Sequence, residues 1–174
     1  LAYATGARFP YDFADPFVLR AGDAYYAYST NAGAGDIQVI RSSDLVSWEL
    51  IGNALGGLPF WASAGSTWAP SVLARNGGYV AYYTVREAAS GRQCISRAVA
   101  SSPASPFVDD SWGPLGCQRE LGGSIDPSPF VDADGRAWLL WKAEGSGGPP
   151  QTLWSQELTA AGLGVTGVGY PLLS

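Results

Sequence analysis

Hydrophobic and polar positions along this 174-residue chain fall into three similar stretches. They read DPFVLRAGDAYYAYST from Asp15, APSVLARNGGYVAYYT from Ala69 and DPSPFVDADGRAWLLWK from Asp126. In each, a proline leads into a short apolar run, a glycine turn at Gly22, Gly77 or Gly135, and an aromatic-rich run. Short alternating runs bounded by Gly, Pro, Asn and Asp predict β-strands joined by tight turns. Each unit then continues in the same way, with an apolar strand (IQVIR from Ile37, CISRAVA from Cys94, TLWSQEL from Thr152) and a last strand carrying SWELIG, PFV or LGVTG. About four strands per unit are therefore expected.

Pro16, Pro70 and Pro127 mark a repeat of somewhat more than fifty residues. A repeat of that length built of several short strands is the signature of propeller blades, because one small sheet cannot bury both faces and must stack on its neighbours. The expected fold class is thus an all-β propeller, with three four-stranded blades at about 12–58, 66–120 and 124–174. With 23 glycines and 12 prolines, the chain has no long window of helical apolar spacing free of breaks. The length suffices for one core but not for two domains.

Charge and cysteine content narrow the partners. The net charge is −5 with no basic run, so neither a nucleic acid nor an anionic membrane is an expected partner, since both require clustered Lys and Arg. No apolar stretch approaches the roughly 18 residues of a membrane span, and no signal peptide is seen. The chain begins at Leu1 and lacks methionine, which reads as a mature, trimmed or excised product. Cys94 and Cys117 flank a loop-rich segment. They are either bonded to each other or buried as free thiols, and the even pair around a polar loop makes the bond, and an extracellular location, the expectation. The absence of histidine removes Ser-His-Asp and Cys-His mechanisms and the usual zinc sets. No metal or other cofactor is expected.

Any catalysis must then use carboxylates. Asp23, Asp132 and Asp134 sit in glycine-containing turns, Asp44 in SSDL, and Asp109 and Asp110 in a proline-rich loop. Asp15 and Asp126 differ, because each precedes a proline, which favours an extended backbone, at the start of the first strand of a repeat. First strands line the channel of a propeller, so the two carboxylates are expected to face each other across it. Paired carboxylates are what glycosidic cleavage needs. Asx-turns before the prolines remain the structural alternative.

DFADPFVLR (Asp12 to Arg20), IRSSDLVSWELIG (Ile40 to Gly52), TWAPSVL (Thr67 to Leu73) and GSIDPSPFVDADGRAWLLWK (Gly123 to Lys142) resemble the hallmark segments of glycoside hydrolase family 43. That family comprises five-bladed propellers acting on arabinose- and xylose-containing polysaccharides. The resemblance covers almost the whole chain and corresponds to the N-terminal three blades. The RQC, CQ and GGSIDP segments look most like the secreted, arabinan-active branch. The resemblance implies Asp15 as general base and Asp126 as the carboxylate that orients the acid. Trp68 is implied to border the sugar site, its alternative being a core aromatic. Phe17 and Ser128 are the further candidate substrate contacts.

The chain also departs from the family pattern. The general acid is a Glu in an EGP-like segment after the third blade, and this chain stops at PLLS; Glu144, in KAEGSGG, does not match that position. The family's central histidine has no counterpart either. Three blades would leave apolar faces open (WLLW, YVAYY), so a homodimer forming a six-bladed pseudo-propeller is the expected assembly, the alternative being a piece of a longer enzyme. Three functions follow. One is inverting hydrolysis of a plant polysaccharide or oligosaccharide; the second is sugar binding without turnover; the third is a structural fragment.

Overall fold

The computed structural model describes residues 9–33, 35–104 and 106–174. Eleven strands form three antiparallel sheets. The first contains β1 (Phe17–Ala21), β2 (Ala24–Ser29), β3 (Gln38–Ser42) and β4 (Glu49–Asn53) in sequential order. The second contains β5 (Ala62–Arg75), β6 (Gly78–Glu87) and β7 (Gln93–Ala100), and the third β8 (Ser124–Val131), β9 (Ala137–Ala143), β10 (Thr152–Leu158) and β11 (Val165–Leu173). The described residues contain no α-helix; a 3₁₀ turn covers Arg119–Leu121. The sheets are meanders because each turn carries a glycine at positive φ where the chain reverses, as at Gly22, Gly77 and Gly135.

The middle sheet departs from the four strands expected of it. The PFV segment forms no strand: Phe107 makes a lone bridge to Leu55, and Val108 one to Val99. Pro103, Pro106 and Pro114 supply no N–H for a ladder. The segment instead links two sheets, with Phe107 N–H donating to Ala54 and Gly56 N–H to the Phe107 carbonyl.

Alternation along β6 explains why the middle sheet sits between the others. Ala81, Tyr83 and Val85 pack into one cluster with Tyr28, Val39 and Phe107. Val80 and Tyr82 point the opposite way, into a second cluster with Leu139, Trp141 and Leu158. Side chains of period two on a two-sided sheet give both neighbours an apolar face. YVAYY is accordingly buried throughout apart from the first tyrosine, and within WLLW Leu139 and Trp141 are buried. The open apolar faces expected there are filled by contacts within the chain. Exposed large apolar residues lie elsewhere, on β11 (Val168, Tyr170, Leu172, Leu173), at the end of β8 (Phe130, Val131) and on the first sheet (Val18, Leu50, Ile51).

Buried tyrosine hydroxyls close the loops onto this core. Tyr28 donates to the Pro103 carbonyl (2.7 Å), Tyr82 to that of Gly162 (2.6 Å) and Tyr83 to Asp109 (2.6 Å). Burial pushes all three phenols well above their ordinary range. Asp109, which looks like an ordinary loop aspartate in the sequence, also accepts the Ser96 hydroxyl and thus anchors its loop to the middle sheet.

Cys94 and Cys117 are disulfide-bonded, closing a separation of 23 residues. Beside them, Glu87 accepts two hydrogen bonds from Arg119 and one from Ser90. Intact mass after alkylation without reductant should show no labelled thiol. Reduction is expected to cost about 3 kcal/mol of stability by the loop-entropy relation, read as a shifted denaturant midpoint. A chain that takes two labels would contradict the bond.

Candidate active site

The first strands of the three sheets each bring their proline corner to one place. Asp15, Pro16 and Phe17 from the first sheet, Ala69, Pro70 and Ser71 from the second, and Asp126, Pro127 and Ser128 from the third line one open cavity of about 150 Å³. Of the candidate residues, Asp15, Phe17, Asp126 and Ser128 are therefore assembled together. Trp68 is not in that wall. It lines a separate cavity of about 280 Å³ whose other residues include Arg86, Arg92, Gln93 and Glu144.

The corners are not extended, contrary to what the Asp-Pro pairs imply. Asp15, Ala69 and Asp126 all adopt positive φ, at 51°, 43° and 58°. Two of them sit in β-bulges, where pairing slips between Trp68 and Ser71 and between Ile125 and Ser128. The proline's missing N–H interrupts the ladder and its ring disfavours a right-handed predecessor, and at the two bulges the cross-strand pairing goes with the left-handed well instead of the extended one. Such bulges re-aim one side chain and are common beside functional sites. Aspartate tolerates the left-handed region better than most residues, whereas Ala69 has only a methyl group to present there.

Threonines one strand away tie these corners to their neighbours. The register pairs Phe17 with Tyr28, Ser71 with Tyr82 and Ser128 with Leu140, so Thr30, Thr84 and Lys142 occupy equivalent positions two residues on. Thr30 Oγ1 donates to Asp15 Oδ2 (2.6 Å) and accepts from Ala69 N–H (3.0 Å), joining the first corner to the second. Thr84 Oγ1 accepts from Asp126 N–H (3.1 Å), joining the second sheet to the third corner. Both threonines end the repeated strings AYST and AYYT. Their equivalence is visible in the sequence, but their partners, which lie in other units, are not.

Asp126 also senses the charge of Asp15. Loss of hydration raises the pKa of Asp126 above the ordinary carboxylate range, and the charges of Asp15 and Glu144 add to the rise while Lys142 opposes it. Asp126 is thus biased toward holding a proton beside an acceptor-rich neighbour, an arrangement suited to proton handling. Glu144 faces the other cavity, where Oε2 accepts the Ser146 hydroxyl (3.0 Å).

A profile described as Glycosyl hydrolases family 43 matches residues 9–172, and the chain belongs to that family. It is 33% identical over 150 residues to an extracellular exo-α-(1→5)-L-arabinofuranosidase of Cellvibrio japonicus, covering 78% of this chain and 42% of that one. To an extracellular endo-α-(1→5)-L-arabinanase of Bacillus subtilis it is 27% identical, covering 76% and 44%. Among solved structures, an endo-arabinase of Bacteroides thetaiotaomicron superposes with a TM-score of 0.82 at 25% identity, over 94% of this chain and 57% of that chain. A thermostable family-43 glycoside hydrolase superposes with a TM-score of 0.81 at 27% identity, over 92% and 53%. The fold is that family's β-propeller, and the chain spans about half the length of these relatives, or less.

Proposed function

We propose that this chain carries the water-activating half of a glycoside-hydrolysing site directed at arabinose- or xylose-containing polysaccharides. The observation that carries the reading is the convergence of Asp15 and Asp126 on one cavity from equivalent corners of two repeats. Asp15 is the base that takes a proton from water. Asp126 is the second carboxylate, which orients the acid and raises its pKa. Phe17 and Ser128 contact the sugar in the same cavity, and Trp68 borders it from the other cavity. In this reading the three sheets are taken as three blades, at about 12–58, 66–120 and 124–174, the middle one with three strands. Inverting chemistry would place the Asp15 base about 6.5–9.5 Å from an acid, leaving room for one water. The names of the extracellular relatives and the disulfide support a secreted protein.

The test is hydrolysis of 4-nitrophenyl α-L-arabinofuranoside and the corresponding β-xyloside, whose activated leaving group needs little acid assistance. Release of nitrophenol with an inverted anomer supports the reading. A second reading, sugar binding without turnover, is favoured by Glu144, which is engaged with Ser146 and lines the cavity beside Trp68 instead of the one between Asp15 and Asp126. Calorimetric binding of arabino- or xylo-oligosaccharides with no hydrolysis of either aryl glycoside selects it. If neither binding nor hydrolysis is seen, both readings fail and the structural one stands.

The assembly we propose is a homodimer. Val168 and Leu173 on β11 are each 70% exposed, and apolar strands of that kind are association surfaces. Sedimentation at micromolar concentration should give twice the 18.2 kDa chain mass. A monodisperse monomer would overturn the dimer.

A further inference from the structure

The cavity beside Trp68 has a chemistry that hydrolysis at Asp15 does not use. Gln93 on β7 is only 5% exposed, and its Oε1 has no hydrogen-bond partner among the described residues. The orientation of that amide is fixed by its other end, because Nε2 donates to the Ser66 carbonyl (3.2 Å). Gln93 lines the cavity, and its buried Oε1 is left as an acceptor without a partner among the described residues, at a desolvation cost that a ligand hydroxyl would relieve. Opposite charges are also left over. Arg86 and Arg92 both line the cavity, and neither forms an ion pair among the described residues; Arg20, Arg41 and Arg75 also lack one, but they do not line this cavity. Arg86 is steadied by its Nε, which donates to the Gly91 carbonyl (3.1 Å), and the rest of its guanidinium has no hydrogen-bond partner among the described residues. In a chain with 15 acidic and 10 basic residues, two unpaired guanidinium groups at one aromatic wall form a local inversion of charge.

The donors and acceptors differ in kind. Arg86 and Arg92 present planar forks matched to a carboxylate. Gln93 and Glu144 present acceptors for ring hydroxyls, and the Trp68 indole presents a flat apolar surface to a sugar ring. A neutral pentose would use the acceptors and the indole but leave both cations unanswered. We propose that this cavity is a binding site for a uronic acid residue, its carboxylate at Arg86 and Arg92, a hydroxyl donating to Gln93 Oε1, and its ring against Trp68. The proposal deepens the reading of the chain as glycan-directed and rests on it for the polymer that would present such a unit, an acidic branch beside the residue held between Asp15 and Asp126.

Binding can be tested without turnover. The probes are sodium methyl β-D-glucuronide and its neutral twin, methyl β-D-glucoside, titrated into the full chain and followed by NMR. We expect the glucuronide to bind at least about fivefold tighter, as charge-assisted hydrogen bonds outweigh neutral ones. The advantage should fade near 1 M salt, where the screening length is about 3 Å. Replacing Arg86→Gln and Arg92→Gln together should abolish the difference between the two sugars, and Trp68→Ala should weaken both. Both arginines retain solvent contact, so the double variant should keep the wild-type circular dichroism. Equal binding of the two probes, no binding of either, or a preference that survives the double replacement would overturn the site. Glucuronide binding unaffected by Trp68→Ala and displaced by sulfate would mark a simple anion site and overturn the sugar assignment. Asp15→Asn should leave glucuronide binding unchanged. A failed hydrolysis assay with this preference intact would count against the catalytic reading alone, and the converse against the uronate site alone.

Discussion

Replacing Asp15 with asparagine is expected to lower hydrolysis of an aryl arabinofuranoside by about 10²–10⁴-fold, the range that a positioned general base contributes. Asparagine keeps the shape and still offers an oxygen to Thr30, whose hydroxyl donates to Asp15 Oδ2 in the native chain. The fold and sugar binding should therefore persist while proton abstraction is lost. Rate is not the only readout. Asp126 holds its proton to higher pH than an ordinary carboxylate through loss of hydration, opposed by Lys142 and reinforced by the Asp15 and Glu144 charges. Removing the Asp15 charge should bring the Asp126 pKa down, measurable by carboxyl ¹³C titration whether or not the chain turns over. The sign of the stability effect follows. A raised carboxylate pKa means the folded state keeps a proton that the unfolded state has released, so stability falls as pH rises between the unfolded and folded values. Asp15→Asn should reduce that fall. A variant with activity within about threefold of native would remove Asp15 from the base role, and an unmoved Asp126 titration would show that the two carboxylates are not coupled.

The repeat made much of this readable before the structure. Three prolines at one phase located the inner strands, and two aspartates at that phase located the cavity, because equivalent positions of a repeat are brought to equivalent places around an axis. The backbone at the corners was not readable in the same way. Proline restricts its predecessor away from the right-handed region, and extended geometry is the usual outcome, but the bulges at Ala69 and Asp126 chose the left-handed well. That choice depends on cross-strand pairing and on the Thr30 and Thr84 hydroxyls, partners from other units that local sequence cannot name. The middle sheet failed to follow its neighbours for a related reason. PFV has strand-like residues, but its flanking prolines and its ties to Ala54 and Gly56 make it a brace between sheets. The cavity beside Trp68 was hidden most completely. Arg86, Arg92 and Gln93 surround a hairpin turn in the second unit, Glu144 follows a strand in the third, and no periodicity relates them.

Truncating Tyr82 is expected to be the most damaging single change to the fold. The side chain is fully buried on the face of β6 that packs against Leu139, Trp141 and Leu158, so it is the joint between the second and third sheets. Its hydroxyl donates 2.6 Å to the Gly162 carbonyl and pins the turn between β10 and β11. Tyr82→Ala removes the ring and leaves a cavity in a closely packed interior, a change worth about 3–5 kcal/mol for large aromatics. The freed Gly162 carbonyl adds its own cost of about 1 kcal/mol or more if it stays buried. Tyr82→Phe keeps the ring and loses only the bond, so it should cost about 1–2 kcal/mol, and the difference between the two variants isolates packing from hydrogen bonding. Gly162 offers the reciprocal experiment. It lies at φ +76°, and an added Cβ would come within 2.7 Å of the Tyr82 oxygen, so Gly162→Ala should destabilise through both strain and collision. Combined with Tyr82→Phe, the collision disappears and only the backbone strain remains, so the double variant should cost less than the sum of the single ones. Urea denaturation of the native chain and the four variants measures all of this. Simple additivity would mean that Tyr82 and Gly162 do not meet, and that the third sheet is held to the second by the apolar cluster alone.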